Sequence, residues 1–110
     1  MNKWKIIIFG SVLGLYSVLV QAEDPVYEIR IQNHLFMPEV IEIPAATRIK
    51  LIVHNDDATP EEFESYPLNR EKVIAGNSRI ILFIGPLEPG SYPFFGEFNP
   101  ELSQGRIEVK

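Results

Sequence analysis

An all-β sandwich of seven or eight short strands is the fold this sequence predicts, on three observations. After residue 22 no apolar repeat of 3.6 residues runs beyond one helical turn. Short segments instead alternate apolar and polar side chains, the period of a half-buried strand. Proline- and glycine-containing turns separate those segments, with nine Pro and seven Gly along the chain. Short strands punctuated in this way argue a sandwich rather than a helical or mixed fold.

Residues 1–22 stand apart from that pattern. Lys3 and Lys5 precede an apolar run from Ile6 to Val20, and Val20-Gln21-Ala22 is a small-residue cleavage pattern. Together they predict a secretory signal peptide, removed after Ala22, and a periplasmic domain over 23–110. The run is short of the roughly 20 apolar residues a membrane span needs, and Gly10, Ser11, Gly14 and Ser17 dilute it. Cleavage takes two of the ten basic residues and leaves all fifteen acids, so the net charge falls from −5 to −7. Such acidity disfavours nucleic acid as a partner and suits cations. No Cys is present. The domain must stand on its core without disulfides, and type-1 copper, a thiolate nucleophile and an iron–sulfur cluster are excluded.

The strands follow in order. Val26 to Gln32 alternates, with Tyr27, Ile29 and Ile31 on one face and Val26, Glu28 and Arg30 on the other. Asn33-His34-Leu35 breaks that strand, and Phe36-Met37-Pro38 turns the chain into Val40–Ile43. Pro44-Ala45-Ala46 is a turn. Thr47 to Asn55 is the clearest strand, with Ile49, Leu51 and Val53 inward and Arg48, Lys50 and His54 outward. Asn55 to Pro60 is turn-rich. Thr59-Pro60-Glu61-Glu62 could cap a helical turn within Asp57–Phe63, with Pro at its first position and acids behind it. Glu61–Ser65 follows, and Tyr66 to Asn69 breaks the chain again. Arg70–Ile74 and Ser78–Ile84 are strands, the second with Ile80, Leu82 and Ile84 on one face. Gly85 to Gly90 makes a rigid corner, and Tyr92–Phe95 and Gly105–Val109 close the chain.

Two stretches carry a family resemblance. Gly90-x-Tyr92-x-Phe94, a turn, then Gly105 and a final alternating strand resembles the C-terminal end of the cupredoxins. Phe36-x-Pro38-x-x-Ile41-x-Ile43-Pro44-Ala45 resembles their start. The resemblance implies a Greek-key β-sandwich. It places the copper-binding Cys at Gly96, one His at Asn99, the Met near Ser103 or Gln104, and the first His at Glu61. Four further stretches are Thr59 to Ser65, Arg70-Glu71-Lys72-Val73, Gly85 to Gly90 and Phe94 to Phe98. They resemble the small periplasmic cupredoxin-like proteins of the EfeO-domain type, the FtrB-like component that accompanies ferrous iron permeases. The sequence departs from these relatives at Phe98-Asn99-Pro100, where they read Phe-His-Pro, and at Ala46, where they carry Gly.

The resemblance brings the loops around His34, Glu61 and Glu97 to one end of the sandwich. From it follows a candidate metal set of His34, Glu61, Glu64 and Glu97. Oxygen and imidazole donors suit Fe(II), Fe(III) or Mn(II) better than Cu(I). Iron is therefore the implied ion, and copper would bind only outside a type-1 site. The implied function is a periplasmic component of ferrous iron uptake that binds or helps oxidise iron. Its implied partners are an inner-membrane iron permease and other periplasmic uptake proteins. The alternative is a metal-free docking module for the permease or a periplasmic partner, using the loop end with Phe95 and Phe98. Each residue also has a plainer reading. Glu62 suits a solvated surface position, and Glu64 an ion pair with Arg70, Lys72 or Arg79. His34 and His54 suit exposed positions. No Ser-His-Asp set, phosphate loop or zinc spacing occurs.

Overall fold

The computed structural model describes residues 23–110; the signal peptide and its cleavage site, predicted over 1–22, lie outside the described residues. Nine strands form two packed sheets: β1 Val26–Gln32, β2 Leu35–Met37, β3 Val40–Ile43, β4 Ile49–Asn55, β5 Glu61–Ser65, β6 Arg70–Ile74, β7 Ser78–Ile84, β8 Gly90–Gly96 and β9 Gln104–Val109. One sheet runs β2-β1-β4-β7 and the other β3-β9-β8-β5-β6. The pairs β1–β4 and β3–β9 are parallel and the remaining neighbours antiparallel. This is the sandwich that the alternation and turn spacing predict, with the Greek-key order that the resemblance implies.

The alternation decides what faces inward. Ile29, Ile31, Ile49, Leu51 and Val53 leave one sheet fully buried, and Phe63, Phe94, Ile107 and Val109 meet them from the other. Each such side chain contributes roughly 1.5–3 kcal/mol by leaving water, and these contacts stand in for disulfides. Phe36, Phe63 and Phe94 form the aromatic centre, with ring centroids 4.9 to 6.2 Å apart.

Two local expectations are corrected. Asp57–Phe63 holds no helical turn, because Glu61–Ser65 is extended and pairs with β6 on one side and β8 on the other. Two flanking strands outweigh a first-turn cap signal. Leu35–Met37 is a ninth strand rather than part of a break. Asn33 and His34 have φ of 52° and 67° and form a two-residue hairpin turn that pairs Gln32 with Leu35. Positive φ at both central positions is what the twist of such a hairpin requires.

Candidate functional site

The loop between β8 and β9, residues 97–103, is wound tightly at one end of the sandwich. The Asn99 carbonyl accepts from the amides of Leu102 and Ser103, and the Gly96 amide donates to the Ser103 carbonyl. The β1–β2 turn abuts this loop: the Ser103 hydroxyl donates to the His34 carbonyl. Asp57 holds the turn from the other side, its carboxylate accepting from the Asn33 amide at 2.8 Å and the His34 amide at 2.9 Å. Buried Asn55 fixes the loop that follows β4, its side-chain amide donating to the carbonyls of Thr59 and Ile74.

Glu61 sits where these pieces meet. It is the first residue of β5, its side chain follows the inward face shared with Phe63 and Ser65, and it is 2% exposed. Its Oε1 accepts from the Phe98 amide at 2.8 Å and the Glu62 amide at 2.9 Å, and its Oε2 from the Asn99 Nδ2 at 2.8 Å. A Cβ on Gly96 would stand 2.6 Å from the Glu61 Cδ and 2.7 Å from the Ser103 Cβ. Glycine is therefore required at 96 by the carboxyl group packed against it. Of the positions that the cupredoxin resemblance gives to metal ligands, Glu61, Gly96, Asn99 and Ser103 (one of the two places read for the Met, with Gln104) do converge, but on a carboxylate already satisfied by three N–H groups. These residues do not fit a type-1 copper ion: they offer no thiolate and no imidazole, and the carboxyl group occupies the space between them.

None of the other residues of the predicted set is a hydrogen-bond partner of the Glu61 carboxylate. Glu64 is three positions along β5, so the pleat turns it to the outer face. Glu97 is exposed in the loop, and its amide donates to the Glu62 carbonyl at 2.9 Å. His34 shares the loop end, and its Nδ1 stands 3.8 Å from Asp57. His54, read as an exposed residue, is instead only 16% exposed at its side chain and contacts Glu28 at 2.9 Å.

What the structure does assemble is a second group of carboxylates. On the outer face of β5 and β6, one oxygen from each of Glu62, Glu64 and Glu71 lies within 4.8 Å of the others. Glu64 and Glu71 are directly opposed across the two strands, and Phe95 of β8 lies on the other side of Glu64. Like charges in that position destabilise a sheet. Partial burial on the sheet face, with Glu71 and Glu64 alongside, pushes the Glu62 carboxyl up to about 7. Of the three cations read as partners for Glu64, Arg70 is directed elsewhere: its guanidinium donates to the carbonyls of Leu68, Asn69 and Phe83. The sequence did contain a signal for Glu71. Tyr66 to Asn69 is a four-residue connection, and counting back from Ser65 opposite Arg70 sets Glu64 opposite Glu71.

Comparisons with known proteins agree with this architecture. Residues 5–109 match the model of the cupredoxin-like domain family. An uncharacterized protein of Rickettsia prowazekii (strain Madrid E) is 42% identical over 91 residues, covering 81% of this chain and 73% of the relative. Among solved structures, the metal-binding domain of the Cu(I)-exporting P-type ATPase CopA of Streptococcus pneumoniae D39 superposes with a TM-score of 0.70 at 14% identity, over 82% of this chain and 91% of that one. Auracyanin A, a blue copper protein of Chloroflexus aurantiacus, gives 0.68 at 12% identity, over 80% and 100%. A purple cupredoxin from Nitrosopumilus maritimus gives 0.59 at 22% identity, over 76% and 98%. The structural likenesses bear on the fold. With the family match spanning nearly the whole sequence, this chain belongs to the cupredoxin-like domain family.

Proposed function

We propose that this protein is a periplasmic component of bacterial ferrous iron uptake. It works beside an inner-membrane permease and other periplasmic uptake proteins, and takes the ferrous ion as cargo at Glu62, Glu64 and Glu71. The resemblance of its motifs to the EfeO-domain type suggests the pathway. The observation that carries the site is the crowding of three carboxylates on the outer face of β5 and β6, two of them directly opposed. Oxygens of one coordination shell lie at most about 4–5 Å apart, twice a metal–oxygen bond of roughly 2.0–2.6 Å. The oxygens lie within 4.8 Å of one another, inside or at that limit, so a small rotation of these half-buried and exposed side chains closes the shell. Carboxylate oxygens suit Mn(II), and they suit the borderline Fe(II) far better than the soft Cu(I). Of the residues read from the sequence, Glu64 remains a ligand in this proposal, while Glu61 organises the loop.

Anaerobic calorimetry with Fe(II), and with Mn(II) as its redox-inert stand-in, tests the site. The expected result is one ion per chain, weakened by about tenfold or more in Glu64→Gln and in Glu71→Gln. Both variants should be at least as heat-stable as the parent, because each removes a repelling charge. Iron uptake at low iron should fail in cells carrying either variant. Unchanged affinity in both would overturn the assignment.

A further inference from the structure

Among the described residues β2 ends its sheet, pairing with β1 on one side and with no strand on the other. Beside that free side runs the chain entering β9, and between the two lies a groove of about 400 Å³. Phe36 contributes a nearly buried floor. Leu35, Met37 and Leu102 stand around it at 46%, 52% and 58% exposed. Glu39, Glu101 and Gln104 complete the lining. Alternation along β2 puts Leu35 and Met37 on its outer side, where a surface strand of an acidic domain would ordinarily carry polar residues. Three large apolar side chains around one concavity mark a binding surface. Among the described residues both charged groups in the lining, Glu39 and Glu101, are acids.

The groove is preformed. The Ser103 hydroxyl ties the β8–β9 loop to the β1–β2 turn, the Asn99 carbonyl holds the Leu102 and Ser103 amides, and Glu61 holds the Asn99 side chain. Little ordering is therefore left for a ligand to impose. An open strand side offers backbone groups to an extended chain, while alternate side chains offer pockets.

We propose that this groove takes an extended segment of a partner protein laid along the free side of β2. Its apolar side chains rest on Leu35, Met37 and Leu102, and its flanking Lys or Arg residues meet Glu39 and Glu101. This inference is independent of the cation reading, because β8 separates β9 from the carboxylates of β5 and β6.

The test is a titration of ¹⁵N-labelled residues 23–110 with two capped synthetic peptides, Lys-Leu-Thr-Leu-Lys and Glu-Leu-Thr-Leu-Glu. The basic peptide should shift the amide signals of Leu35, Phe36, Met37, Leu102 and Gln104 saturably, and the acidic one should not. Leu102→Asp should weaken the basic peptide by about tenfold while the remaining spectrum keeps its dispersion. Glu101→Lys should erase the preference between the peptides. Shifts confined to Glu62, Glu64 and Glu71 would reduce the effect to bulk charge and overturn the proposal. So would the absence of shifts with both peptides. Groove shifts that follow protein concentration without peptide would make a second copy the occupant and overturn it as well.

Discussion

Three N–H groups converge on the Glu61 carboxylate, and any substitution there acts first through them. Gln keeps an oxygen for the Glu62 and Phe98 amides, and Asn99 can turn its own amide so that its oxygen meets the new NH₂ group. Glu61→Gln should therefore cost only about 1 kcal/mol, the difference between a charged and a neutral acceptor. Ala leaves three donors without a partner at a position 2% exposed, so Glu61→Ala should cost roughly 3 kcal/mol or more. Urea unfolding of the two variants checks this, and equal stabilities would show that the carboxylate does not hold the loop. Glu61 was legible in the sequence as a residue of interest through the resemblance alone. Its orientation was not. The resemblance put Glu61 and Glu64 in one candidate metal set, whereas an extended β5 sends them to opposite faces.

At the scale of elements, the β5–β6 hairpin sets a pH dependence. The folded state raises Glu62 from an ordinary value of 4.5 to about 7. Between those two values the folded chain holds a proton that the unfolded chain has lost. Stability therefore falls as pH rises through that window, and the whole penalty is present above it. The lowered carboxyls do not compete there. Glu28, held down chiefly by its hydrogen bond with His54, and Asp56, held down by Gln32 and Arg30, lose their contributions only on further acidification. Without metal, the Tm should fall between about pH 5 and pH 7.5, and Glu62→Gln should flatten that fall. A Tm that rises over the same interval in both proteins would contradict the crowding. Most strands could be read from alternation: Val26–Gln32, Val40–Ile43, Arg70–Ile74 and Ser78–Ile84 have the predicted bounds. β2 could not. Three residues are too few to show a period, and its existence depends on Asn33 and His34 both adopting positive φ.

At the scale of the whole molecule, the proposed cation site lies apart from the positions that the resemblance gives to copper ligands. The core and the loop end are those of a cupredoxin-like domain, yet the place where such a fold would hold copper is closed by Glu61. The carboxylates proposed to take a cation lie on the other face of β5, on a hairpin whose pairing had to be counted rather than recognised. The sequence showed the acidity and the absent thiolate directly. Which acids meet was there only indirectly, because it depends on the pleat and on a β5–β6 register that has to be counted across Tyr66 to Asn69. The central claim is that the cation site is on β5 and β6 and not at the loop end. Paramagnetic broadening by trace Mn(II), added to ¹⁵N-labelled residues 23–110, tests this most directly. The account predicts that the amide signals of Glu62, Glu64, Glu71 and Val73 vanish first, before those of His34, Phe98 and Asn99. First losses at His34, Glu97 and Asn99 would place the ion at the loop end and contradict it.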